Sequence, residues 1–330
     1  MCINGTSPRD WPHVVSAAVL YPDCVVPHFG LHPMHGAQYG KEIPEADHLS
    51  LLEWLRGCSP PATLAAASAS PSRASQLEPP SCTPDWLLQL QQLLLQAPNA
   101  HVGETGLHKP GAGCGTLGTL GVQRQLLSLH LALAQGLQRS VTVHCVKAFG
   151  ALADELQAAA AAAEGATVMA GTEFPLGVPI VCHSFSGSSE VTRRLQRLGA
   201  YFSISGSVSN PAFKAVRAAA VHVPLHRLLL ESDCPDQPLW GGQGGGSSEE
   251  TATTSCCAAS TGALPAMQHH SCPEDVLVTA AAIADLRGCT AVEVVKAANQ
   301  NATLVFRDSS LKPSAEGSGS VALAARGAPG

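Results

Sequence analysis

A parallel α/β barrel is the fold this chain predicts, on three observations. Short apolar runs of strand length alternate with longer helical patterns along the chain. The runs are nearly continuous in their apolar character, as strands buried on both faces are. Six such units favour a sheet curled into a (β/α) barrel over an open doubly wound sheet. Composition permits it. Of 330 residues, 45% are hydrophobic, which is enough for a sizeable core, and with 4% aromatic Leu, Val and Ala must fill it.

The chain opens on "MCINGTSPRDW", which lacks the charged and apolar regions of a secretory signal. Ser7 can cap a helix, Pro8 suits its first position and Asp10 completes a capping box, so a helix should begin there. "CVVPHFGLHP" (24 to 33) is the next strand candidate, with His32 near its end. Residues 57 to 84 are rich in Pro, Ala and Ser without a sustained period, and read as a flexible insert. "AHVGETGL" (100 to 107) sets Glu104 between glycines where an apolar strand stops. Taken alone, that stretch reads first as a surface turn with a solvated acid.

A helix pattern over 121 to 138 leads to "SVTVHCV" (140 to 146), which carries His144, with Lys147 three residues beyond that histidine. "PIVCHSF" (179 to 185) holds His183 and precedes a helix pattern over 188 to 199. "AYFSIS" (200 to 205) and "LLLESD" (228 to 233) complete the series, and the last ends on Asp233. Residues 237 to 272 form a second low-complexity insert. Its His269-His270 pair and Cys256, Cys257 and Cys272 have no ligand spacing. The expected organisation is one barrel over 1 to 306 with a disordered tail over 307 to 330.

The net charge of −6 argues against bulk nucleic-acid binding, but the charge is uneven. Residues 105 to 153 hold Lys109, Arg124, Arg139 and Lys147 with no acid. Residues 191 to 227 hold Arg193, Arg194, Arg197, Lys214, Arg217 and Arg227, again with none. Such blocks either suit a polyanionic ligand or are ordinary solvated helix faces. The twelve cysteines contain no C-x-x-C pair, which points to a reducing compartment. No apolar run reaches the ~18 residues of a membrane span. An intracellular location follows as the expectation, cytoplasmic or nuclear.

In a parallel barrel the carboxyl ends of all strands share one face, so Glu104, His144, His183 and Asp233 should converge. A single buried histidine is an ordinary core residue. Two imidazoles with two carboxylates at four strand ends form a ligand set suited to Zn²⁺, Mn²⁺ or Mg²⁺.

The motifs "GLHP" (30 to 33), "GETGL" (103 to 107), "VTVHCVKAFG" (141 to 150), "CHSFSGS" (182 to 188), "GAYFSISG" (199 to 206) and "LLLESDCPD" (228 to 236) stand in a telling order. Together with the closing segment 284 to 306, they resemble the TatD-related metal-dependent hydrolases, most of them deoxyribonucleases on a TIM barrel. The resemblance implies two divalent ions, Mg, Mn or Zn, and a DNA substrate. It makes Glu104 the carboxylate bridging both metals. His144 and His183 would hold one with it, and Asp233 would bind the other and help activate water. Glu104 and Asp233 are then the catalytic residues, and His32 and Lys147 would contact substrate.

The chain departs from the family pattern twice. The family's first strand ends in Asp-x-His-x-His. This chain starts at "CINGTSPRDW", which resembles the end of the second strand, so one strand and two ligands are expected to be absent, with impaired activity. His108 stands where the family has Asp after "GxGL", which puts the surroundings of Glu104 in doubt. Hydrolysis of another substrate class, or a catalytically silent barrel that binds without cleaving, are the rival readings.

Overall fold

The computed structural model describes residues 1–58, 78–109, 111, 115–164, 174–237, 239 and 271–306. The greater part of both expected inserts, and the whole of the expected tail, lie outside them. In chain order the elements are β1 (Cys2–Gly5), α1 (Trp11–Leu20), β2 (Val26–Phe29), α2 (Gly36–Tyr39), α3 (His48–Arg56), α4 (Asp85–Gln96), β3 (His101–His108), α5 (Leu120–Leu137), β4 (Val141–Val146) and α6 (Phe149–Glu164). There follow β5 (Ile180–Cys182), α7 (Ser189–Gln196), β6 (Ala200–Ile204), α8 (Lys214–His222), β7 (Leu228–Leu230), α9 (Val276–Arg287) and α10 (Ala291–Val305).

All seven strands are parallel and pair strictly in sequence order, β1 to β7. Among the described residues no strand joins β7 to β1, so the curled sheet keeps two open edges. Each strand except β1 and β3 falls within one of the apolar runs, most of which extend past their strands because their ends carry turn and site residues. β3 runs one residue beyond its predicted stretch, to His108, so Glu104 lies within the strand and not at its end.

The first helix starts later than its capping signal implies. Residues 8 to 10 form a turn and α1 begins at Trp11, with Asp10 as N-cap and Pro12 in its first turn. The Asp10 carboxylate accepts N–H bonds from Thr6 (2.9 Å) and Ser7 (3.1 Å), so it satisfies the donors that open the turn.

Contacts between strands two apart identify the concave face. His28 of β2 reaches over β3 to Thr142 of β4, with Nδ1 3.1 Å from the hydroxyl. Side chains alternate along a strand, so His144 shares this face with Thr142. By the same parity His183 lies above Val181, and Glu231 and Asp233 lie above Leu229. Val181, Tyr201 and Leu229 pack with Val305 beneath them, and Phe306 sits against the rings of His28 (5.3 Å) and His101 (5.5 Å). The end of α10 therefore plugs the floor of the sheet, and the polar residues occupy the top. The larger core, led by Leu51, Leu55, Leu87, Leu127, Leu133, Val141 and Phe202, lies between sheet and helices. No helix among the described residues is long and apolar enough to cross a membrane, and the nine described cysteines are all free.

Candidate metal centre

Glu104 reaches the site through an irregularity in its own strand. The β3–β4 ladder shifts register between Val102 and Thr105, and Glu104 lies inside that shift. Such a break re-aims a side chain that regular pleating would send elsewhere. Glu104 is buried, with Oε1 3.0 Å from His144 Nδ1 and 3.7 Å from both His32 Nε2 and His183 Nε2. Burial by itself would raise its carboxyl pKa. The His183 charge, the His144 hydrogen bond and the His32 and His144 rings outweigh burial, and hold the group ionised well below the usual carboxylate range.

His183 is held from both sides. Its Nδ1 donates to Glu231 Oε2 (2.8 Å), and its Nε2 faces Asp233 Oδ1 (3.3 Å) as well as Glu104. Glu231 itself accepts from the Ser184 N–H (2.9 Å) and the Ser203 hydroxyl (2.5 Å), so its carboxylate is fixed and acts as an acceptor. That arrangement assigns a proton to Nδ1 and points Nε2 between two carboxylates. Three ligand-type atoms, His183 Nε2, Glu104 Oε1 and Asp233 Oδ1, converge there. Burial opposes a charge on His183, but Glu104, Glu231 and the Asp233 contact raise its pKa well above the ordinary value. The cluster calls for a positive charge at that point, and a divalent ion bound by Nε2 and the flanking carboxylates meets the demand. The donor set therefore fits a metal of the Zn, Mn or Mg type.

His32 presents a different nitrogen chemistry. Its Nδ1 accepts the Met34 N–H at 3.1 Å, so the neutral ring carries its proton on Nε2, the nitrogen nearest Glu104. Burial is the main force that lowers its pKa to about 3, assisted by His144, His183 and His35 and opposed by Glu104, so the ring is neutral. His108, in the position where an acid was expected, places Nδ1 3.2 Å from His144 Nε2, with the rings near-parallel at 16°. Gln123 fixes the His108 backbone by accepting its N–H (2.7 Å) and donating to its carbonyl (3.0 Å). A neutral imidazole thus takes the place of a carboxylate beside His144.

Glu104, His144, His183 and Asp233 are gathered at one end of the sheet, with His32 beside them. The tightest donor groupings are His32–Glu104–His144 and His183–Glu231–Asp233. Glu231 was not singled out from the sequence. The available signal was its spacing of two from Asp233, which puts both on one face of a strand that ends there.

A cavity of about 730 Å³ opens over the cluster, lined in part by His144, His183, Asp233, Lys147, Phe213 and Lys214. The acid-free blocks do not form one basic surface. Arg124 pairs with Glu155, Arg194 with Asp154, Arg217 donates to the Val208 carbonyl, and Arg139 is buried against the Pro98 carbonyl. Lys147 and Lys214 are the members of those blocks that line the cavity, and neither has an ion pair among the described residues.

Known proteins resemble this chain in the same terms. Over 64 residues it is 41% identical to the uncharacterized metal-dependent hydrolase YjjV of Escherichia coli K12, a match covering 19% of this chain and 25% of that protein. Over 175 residues it is 29% identical to the uncharacterized metal-dependent hydrolase TatD of Mycobacterium tuberculosis, covering 52% and 58%. The matched stretches thus span between a quarter and about three-fifths of these two relatives' lengths. The crystal structure of the E. coli YjjV protein, a TatD homologue, superposes with a TM-score of 0.56 at 21% identity over 92% of this chain and 85% of that one, and so shares the fold. Residues 1–307 match the family model described as TatD related DNase, and this chain belongs to that family.

Proposed function

We propose that this chain hydrolyses DNA phosphodiester bonds with divalent metal held by Glu104, His144, His183 and Asp233. The observation that carries the reading is the convergence of His183 Nε2, Glu104 and Asp233 on one point that calls for positive charge. A divalent cation bound there would lower the pKa of water and polarise a phosphoryl oxygen. Glu104, within reach of both His144 and His183, would supply an anionic oxygen to each metal position, and Glu231 keeps the His183 ring in its ligating tautomer. Asp233 accepts the proton of the attacking water. The His32 Nε2–H donates to a non-bridging phosphate oxygen, and Lys147 neutralises the backbone at the cavity mouth.

Three side chains serve one metal position (Glu104, His144, His183), whereas Glu104 and Asp233 serve the other. Metal titration of the purified chain should therefore reveal one tight site and one weak site. His183→Ala should remove the tight one together with cleavage of a labelled oligonucleotide. Two equally tight sites would contradict the ligand count. Cleavage that survives excess EDTA would overturn the metal mechanism, and binding that does not weaken with salt would remove the lysines from the substrate contact.

A further inference from the structure

The cavity above the metal ligands runs past Lys147 to the start of α8, where Phe213 and Lys214 line it. Phe213 is 52% exposed, and Tyr21 is the only other Phe, Tyr or Trp among the described residues that is exposed. The backbone that carries it is ordered by hydrogen bonds. The Phe213 N–H donates to the Asn210 carbonyl (3.1 Å), the Asn210 side chain accepts the Ala212 N–H (2.9 Å), and the Phe213 carbonyl accepts the Arg217 N–H (3.2 Å) in the first turn of α8. An ordered backbone therefore presents a flat apolar ring in the wall of a cavity that also carries Lys147 and Lys214, two exposed ammonium groups with no carboxylate partner among the described residues.

That combination matches a nucleotide. A base offers a π face to the ring, and the phosphates on either side of it meet the cations. Paired bases in a duplex have both faces covered by their neighbours and cannot lie on such a platform without leaving the stack. We propose that Phe213 is a stacking platform for one unpaired nucleobase of a strand whose phosphates Lys147 and Lys214 hold. This inference rests on the DNA-hydrolase reading above and assigns it a specificity residue. Stacking on a π face tolerates every base, so the platform selects for strandedness and not for sequence.

The test is a binding cycle in the Asp233→Asn background with Mg²⁺, where the strand stays intact. Fluorescein-labelled decanucleotides, either complete or with one abasic sugar at successive positions, are titrated into the full chain with and without Phe213→Ala, Phe213→Trp or Lys214→Ala. Phe213→Ala should weaken the complete strand by about 5- to 150-fold, the range of a base–aromatic stack. That loss should vanish when the abasic sugar occupies one particular position, and Phe213→Trp should retain tight binding. Lys214→Ala should weaken every strand by the same factor and reduce the salt slope by about 0.7. A Phe213→Ala loss that is the same for all abasic strands, no loss at all, or a duplex bound as tightly as the single strand would each overturn the platform. An Asp233-containing chain that binds DNA as described but leaves it uncut would overturn hydrolysis alone. Absence of DNA binding would overturn both.

Discussion

His183 shows how one carboxylate decides the role of another residue. Glu231 accepts the Nδ1–H at 2.8 Å, and that hydrogen bond makes Nε2 the ligating nitrogen and sets its direction. Glu231→Gln keeps the shape but allows the amide to present either a donor or an acceptor to the ring, so the tautomer is no longer enforced. Metal affinity should fall by about 10- to 100-fold with the fold intact, as calorimetric titration beside circular dichroism would show. An unchanged affinity would remove Glu231 from the centre. Backbone strain marks the same neighbourhood. Lys147 (φ 54°), Ser184 (φ 43°) and Asp233 (φ 52°) are left-handed, and each lies at the carboxyl end of a strand that bears a ligand. Asp tolerates this region better than Lys does. Such conformations cost about 1–3 kcal/mol apiece and persist where the surroundings over-determine them.

At the scale of the element, β3 is the strand on which the centre depends, and its glycines set how closely its neighbours approach. Gly106 pairs with His144 in the ladder and has φ +149°, and a Cβ there would lie 2.0 Å from the His144 carbonyl oxygen. On the other side, a Cβ at Gly30 would meet the backbone of Gly103 at 2.9 Å. Backbone atoms cannot rotate aside as a flexible side chain can. Gly106→Ala should therefore push β4 and its histidine outward, costing about 3 kcal/mol or more. Urea denaturation should show a clear drop in midpoint, and the surviving folded protein should bind metal more weakly. A wild-type midpoint would mean that the ladder yields without strain. The glycines beside Glu104 are thus explained by packing against neighbouring backbone, a need that the local sequence does not display.

The whole molecule carries a predictable sensitivity to acid. His130 on α5 is fully buried, stacks on Trp86 at 5.8 Å, donates from Nδ1 to the Leu126 carbonyl and accepts the Leu31 N–H at Nε2. It thereby ties an outer helix to the residue before His32. Burial, only partly offset by the Leu126 bond, lowers its pKa from 6.5 to about 4. A histidine with a depressed folded pKa leaves the unfolded chain with more bound protons between those two values, so stability falls as pH falls through that window. The loss should reach about 3 kcal/mol by pH 4. His28, buried and shifted in the same direction, adds to it. Denaturation midpoints measured from pH 7 to pH 4 should fall steeply in the native chain and less steeply in His130→Leu. Equal slopes would show that His130 does not titrate on unfolding. The window lies above the range where Glu104 takes up its proton, so the two effects separate along the pH axis.

Much of this architecture is legible in the linear order of residues. Apolar runs of strand length and intervening helical periods are local properties, so the parallel sheet and the segments that bear Glu104, His144, His183 and Asp233 can be read without coordinates, although Glu104 proved to lie within its strand and not at its end. Other features depend on neighbours distant in the chain, and only the tertiary structure decided them. Glu231 became part of the centre because His183 and Ser203 arrive beside it from β5 and β6. Two cations of the acid-free blocks, Arg124 and Arg194, are neutralised because Glu155 and Asp154 reach them from another helix. Phe213, unremarkable in sequence, acquired its place through the cavity wall that α8 shares with His144 and Asp233. Periodicity and turn chemistry act over a few residues and are written in the chain. Hydrogen-bond partners, ion pairs and cavities join residues far apart in sequence, and they exist only once the sheet has brought them together.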